Sequence, residues 1–221
     1  MKILAVSDQE SPTLWDYYKD GCLKEYDLIL SCGDLKAEYL SFLVTMARCP
    51  VLYVHGNHDT SYDRKPPLGC DCIEDKLVEI GGIKILGLGG SRKYGGGRHQ
   101  YSEKEMRRRI RKLRFALWRA GGVDIVVTHA PVAGLGDGAD IAHKGFEAFR
   151  ELLDKYHPQY LIHGHMHLSY GQDRTRERRY GQTQIYNADE KIVLDIPTEN
   201  FPFFSHLTIR WWNGKPKLPE I

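Results

Sequence analysis

Five short apolar runs, at residues 3–6, 28–30, 51–54, 123–127 and 160–162, each stop in a cluster of polar side chains. Runs of that length are too short for helices. They also lack the alternation of a strand with one wet face, so they read as strands buried on both sides. Residues 37–47 carry Leu40, Leu43, Val44 and Ala47 at helical spacing, and residues 101–118 and 146–156 also read as helices. Ser102 and Glu105 supply a capping box for the second, and a shorter helix is expected over 13–19, after Pro12. Strands alternating with helices make an α/β chain with a largely parallel sheet, which holds ligands beyond its strand C-termini.

The remaining segments fill out this scheme. Residues 77–80 and 83–88 form a hairpin over Gly81-Gly82, and 183–188, 191–196 and 207–211 are further strands. Residues 62–74, 87–97 and 134–145 are loops, the last two glycine-rich, and 172–179 is a solvated turn. With no repeat and no linker, residues 1–221 are expected to form a single domain. The net charge of +2, with 42% hydrophobic and 27% charged residues, suits a soluble globular chain. No apolar run nears the roughly 18 residues that span a bilayer, so no membrane partner is expected. Met1 leads almost directly into the first strand, without the charged and long apolar regions of a secretory signal. Cys22, Cys32, Cys49, Cys70 and Cys72 are odd in number, so free thiols and a reducing, cytoplasmic compartment are expected.

The strand ends carry the chemistry: Asp8 with Glu10, then Asp34, then Asn57 with His58, then His129, then His165 with His167. A core does not accept such groups unpaired, because burial then costs several kcal/mol at worst. Alternate residues of an extended chain point the same way, so Asp8 converges with Glu10, and His165 with His167. Gly33, Gly56 and Gly164 each precede one of these residues, where backbones must approach closely.

In this order the blocks resemble the calcineurin-like metallophosphoesterase superfamily. Its pattern is Asp-x-His, Gly-Asp, Gly-Asn-His-Asp/Glu, a lone His and Gly-His-x-His. Here it stands as Asp8-Gln9-Glu10, Gly33-Asp34, Gly56-Asn57-His58-Asp59, His129 and Gly164-His165-Met166-His167. The resemblance implies a four-layer αββα sandwich, two mixed β-sheets flanked by helices, with a dinuclear metal site at the strand C-terminal ends. One ion would take Asp8, Glu10, Asp34 and His167; the other would take Asp34, Asn57, His129 and His165, with Asp34 bridging. It implies a phosphoesterase acting on phosphomonoesters or phosphodiesters by attack of a metal-bridging hydroxide, with His58 as general acid. Nitrogen and oxygen donors without thiolate suit Mn or Fe, with Zn, Co or Ni as alternatives.

Two positions depart from the pattern. Glu10 stands where the family has His, which adds a third carboxylate and favours a harder ion. Ala37 stands where phosphoprotein phosphatases carry an Asp that orients the catalytic His, so some other group must orient His58. These departures feed a rival reading, a metal-binding interaction or regulatory module of the same fold with little or no turnover. Arg92, Arg98, His99 and His143 sit in the glycine-rich loops and are candidates for substrate phosphate. Helix 101–118 carries Lys104, Arg107, Arg108, Arg109, Arg111, Lys112 and Arg114 around an apolar stripe of Met106, Ile110, Leu113 and Leu117. It reads as a solvated amphipathic face, or as a surface for nucleic acid or another polyanion. Oligomeric state is open at this stage.

Overall fold

This computed structural model describes residues 1–168, 175–197 and 208–215. The apolar runs form β1 (Lys2–Ser7), β2 (Leu28–Ser31) and β3 (Val51–Tyr53), followed by β4 (Asp71–Cys72) and the hairpin of β5 (Lys76–Ile80) and β6 (Ile83–Leu88). β7 (Ser91–Arg92) and β8 (Gln100–Tyr101) pair with each other. Then come β9 (Ile125–Thr128), β10 (Tyr160–His163), β11 (Glu177–Tyr180), β12 (Thr183–Asn187), β13 (Glu190–Asp195) and β14 (Arg210–Trp211). The helices are α1 (Ala37–Met46), α2 (Glu103–Lys112), α3 (Arg114–Ala120) and α4 (Glu147–Tyr156).

Two mixed sheets result. One has the order β13-β1-β2-β3-β4, parallel except for β13; the other has the order β11-β12-β10-β9-β6-β5-β14, parallel only from β12 through β6. Alternation along the strands builds the layers. Ile3 and Ala5 of β1 join Val78, Ile85, Ile125 and Ile162 of the other sheet in one core. Leu4 and Val6 point the other way, into a cluster with Leu40 and Leu43 of α1. Leu86, Val126 and Leu161 turn outward onto Met106, Leu117, Phe149 and Leu152 of α2, α3 and α4. The expected αββα sandwich is therefore present.

Several local expectations change. Residues 12–17 form turns in place of the expected helix. The expected helix 101–118 keeps its capping box, with Ser102 N donating to Glu105 Oε2 at 2.8 Å, but it steps at Leu113 into α2 and α3. Residues 177–179 lie in β11 where a turn was expected, while residues 172–174 and residue 207 fall outside the described residues.

Arg109 is the largest departure. It is not one of the solvated charges of the helix but is 8% exposed. Its guanidinium donates to Glu74 at 2.9 Å, Asp75 at 2.8 Å and Gly89 O at 2.8 Å, over the Tyr101 ring. Burial raises the Glu74 carboxyl, but the hydrogen bond from His55 and the Arg109 charge outweigh it and hold the group at about 2. A carboxyl depressed from 4.5 contributes stability that is complete above 4.5 and lost as pH falls through about 2. Glu74→Ala leaves Arg109 buried with one partner fewer, and the expected loss is about 3–5 kcal/mol in urea unfolding at neutral pH. A loss below about 1 kcal/mol would contradict this role for the pair.

Candidate metal centre

The tips of β1, β2 and β3 in one sheet meet those of β9 and β10 in the other, and hydrogen bonds within and between the two sets hold them. Asp8 N donates to Gly33 O at 3.1 Å, Gly164 N to His129 O at 3.0 Å, and His165 N to Asp8 Oδ2 at 2.8 Å. Gly56 and Gly164 sit where no side chain fits. A Cβ at Gly56 would overlap the Asp34 carboxylate, and one at Gly164 would overlap Ser7 and Asp8. Asp8 (φ 65°), Asp34 (φ 58°) and His165 (φ 66°) all adopt left-handed backbone, a cost of order 1–3 kcal/mol per residue that collects at functional positions.

Among the described residues, Asp34, His129 and His165 offer ligand atoms within 4.8 Å of one another. Both imidazoles are oriented from behind. His129 Nδ1 lies 2.8 Å from Cys32 O, and His165 Nε2 lies 2.7 Å from Ala142 O. Each ring then donates to a carbonyl and keeps its other nitrogen for the cluster, as metal-ligating histidines do. His129 Nε2 stands 3.3 Å from Asp34 Oδ2 and 3.0 Å from Asn57 Oδ1. Carboxylate, amide oxygen and two imidazoles are a donor set that fits a borderline divalent ion.

The ionisable groups of this pocket shift one another strongly. Burial raises Asp8, and the neighbouring Asp34 raises it further, against the opposing pull of His129. Burial alone would lift Asp34 too, but the charge and hydrogen bond of His129 and the His58 backbone N–H bring it down to about 2. Burial would lower His129, yet Asp34 and Asp8 raise it to about 9. His165, buried and beside His129, is lowered to about 3. Asp59 accepts Asp34 N at 2.8 Å and Gly56 N at 2.7 Å, so it holds the turn.

The other predicted residues are dispersed. Glu10 is turned to the start of α1: it accepts Lys36 N at 3.2 Å and lies 3.5 Å from Lys36 Nζ. His167 stands 3.4 Å from Asp189 Oδ1 and 3.4 Å from Gln9 Nε2. His58 is exposed; its N–H donates to Asp34 Oδ1 at 2.8 Å, and its ring has no hydrogen bond among the described residues. His143 is brought to the cluster, 5.3 Å ring to ring from His165, with Asp140 2.9 Å from its Nδ1. Arg98 pairs with Asp63, in the turn that follows His58. Arg92 is engaged by Glu103, which also caps α4 through Glu147 N at 2.9 Å. His99 is buried and stacked on His55 at 4.4 Å and 5°. His55, Glu74 and His99 also lie within 4.8 Å of one another, but parallel rings aim their lone pairs side by side, and Arg109 already occupies Glu74.

Two residues at the site escaped the sequence reading. Asp189 is buried between β12 and β13, accepting Gln9 Nε2 at 3.1 Å and Leu168 N at 2.8 Å. Its signal was the same one used elsewhere, a polar cluster closing an apolar run. Tyr94 gave no signal; its hydroxyl accepts Asn57 Nδ2 at 3.0 Å from within a glycine-rich loop. One expectation follows from the electrostatics. At pH 7 the metal-free His129 carries a proton that a metal must displace, so affinity rises with pH until about 9. Calorimetry in buffers of different ionisation enthalpy should detect release of about one proton at pH 7 when the ion held by His129 binds. Metal binding with no proton released would contradict the His129 assignment.

None of the curated proteins compared with the chain matches it. Solved structures do. One crystal structure, 15% identical, matches over 95% of this chain and 97% of its own with a TM-score of 0.64. TT1561 of Thermus thermophilus, 15% identical, matches over 86% of this chain and 89% of its own with a TM-score of 0.56. GAP50, the anchor in the inner membrane complex of Plasmodium, is 12% identical over 85% of this chain and 70% of its own, with a TM-score of 0.53. At such identities these likenesses speak for the fold alone. Residues 1–169 match the family described as calcineurin-like phosphoesterase, and that stretch contains every strand tip described above, so the chain belongs to this family.

Proposed function

We propose that the protein hydrolyses phosphate esters with divalent metals bound at these strand tips. The observation that carries the reading is the convergence of Asp34, His129 and His165 from three strand tips, with both rings oriented from behind. Asp34, Asn57, His129 and His165 would hold one ion, and Asp8, Asp34, His167 and Glu10 the other. Mn or Fe suits the donors best, with Zn, Co and Ni behind them. Bound there, the metals would supply Lewis acidity toward water and the phosphoryl oxygens.

The chain's own residues divide the rest of the work. Asn57 presents its amide at the same edge, steadied by Tyr94. His58 follows it, tethered through its backbone to Asp34 and exposed, and would give a proton to the leaving oxygen. His143 and Arg98 flank the tips and would meet the ester's charge, whereas Arg92 and His99 are taken up by packing. Glu10 already accepts Lys36 N with one carboxylate oxygen, so it would share its charge between that bond and an ion, and the ion it serves should be the weaker bound.

With Mn²⁺, turnover is expected on p-nitrophenyl phosphate or on bis-p-nitrophenyl phosphate, and the ratio of the two rates separates monoesterase from diesterase. His58→Ala should lower kcat by about 10²–10⁴-fold and leave KM little changed. No rate on either substrate with metal bound would favour the binding-module reading, to which the engaged Glu10 and a His58 ring without a hydrogen bond among the described residues already lean. Metal counting adds a second test: Glu10→Ala should keep the tighter ion and lose the weaker. Equal occupancy of both ions in wild type and variant would remove Glu10 from the ligand set.

A further inference from the structure

Helix α2 begins beside the strand tips, just after β8, and α3 ends at the opposite end of the sheet, where Lys84 Nζ donates to Ala120 O at 3.3 Å. Lys104, Arg108, Arg111, Phe115 and Trp118 recur at helical spacing along the outer face of this pair, and all are exposed. At about 1.5 Å per residue the stripe is about 20 Å long. Met106, Leu113, Ala116 and Leu117 already fasten the helices to the core, so the two outer aromatics are not needed for packing. Phe115 is 67% exposed and Trp118 75%, with ring centroids 5.8 Å apart and planes tilted by 33°. Beside them lies a groove of about 670 Å³, lined also by Arg114, Lys155 and Tyr156.

The charges of this face are sorted. Arg107 is held by Glu151 and Arg109 by Glu74 and Asp75. Among the described residues, Lys104, Arg108, Arg111 and Arg114 form no ion pair. The nearby carboxylates are engaged: Glu105 by Ser102, Glu103 by Arg92 and the start of α4, and Glu151 by Arg107. A second copy of the chain would set like charge against like. A ligand that suits the face carries a line of negative charges and planar rings that can lie on Phe115 and Trp118.

We propose that the outer face of α2 and α3 binds single-stranded nucleic acid, its phosphates along Lys104, Arg108, Arg111, Arg114 and Lys155 and its bases on Phe115 and Trp118. A duplex offers the phosphates but not the unstacked bases, and an acidic protein offers charge without a repeating π-face. The surface uses none of the strand-tip residues. Binding measured in EDTA therefore stands or falls independently of the phosphoesterase reading.

Fluorescence anisotropy of labelled oligo(dT) and oligo(U) of about 12 nucleotides in EDTA tests the proposal. Affinity should fall with salt with a log–log slope of about −3 to −4, and Arg111→Ala should reduce that slope by about 0.7. Trp118→Ala and Phe115→Ala, both at exposed positions, should each weaken binding by about tenfold or more while circular dichroism stays unchanged. Three results would overturn the proposal: no salt-dependent binding, equal affinity for a duplex or for polyglutamate, or wild-type affinity in both aromatic variants. A dimer that Trp118→Ala dissociates would also overturn it, by assigning the face to self-association.

Discussion

Two half-buried carboxylates, Asp8 and Asp34, face each other where the two sheets meet, and the site's arrangement follows from keeping them there. Burial and mutual repulsion raise Asp8, and in the metal-free chain a protonated His129 supplies the countercharge. Left-handed backbone at Asp8, Asp34 and His165 and the absence of side chains at Gly56 and Gly164 allow these groups to crowd. A fold optimised for stability alone would not gather strained carboxylates and imidazoles at one edge. A bound cation would give that arrangement its reason.

Much of this was legible in sequence because ligand chemistry at a strand end is local. The tips after residues 6, 30, 54, 127 and 162 announced themselves by an apolar run ending in Asp, Asn or His, and the parallel topology brings those ends together. What could not be read is what depends on partners distant in sequence. Arg109 looks like its neighbours on a basic helix until Glu74 and Asp75 come to meet it. Glu10 has the length and direction of a ligand, but nothing in the sequence shows that it also accepts the Lys36 backbone N–H. His99, in a glycine-rich stretch, is buried against His55 because β7 and β8 pin that loop. The turns at 12–17 failed as a helix because local propensity there is weak and nothing compels a full ladder.

The molecule thus has two distinct faces. One is a recessed edge where backbone contacts hold donors close together. The other is an exposed helix pair whose outer cations and aromatics are not used by the core. They meet at β8 and the start of α2, where Glu103 ties Arg92 to the first amides of α4. The same segment therefore links the loop bearing Tyr94 to the helix layer.

Anomalous diffraction from crystals grown with manganese tests whether the strand tips bind metal. A peak is expected within about 2.0–2.3 Å of His129 Nε2 and an Asp34 carboxylate oxygen, with His165 in the same shell. Ions found only elsewhere, with His129 Nε2 still bonded to Asn57 Oδ1, would contradict it.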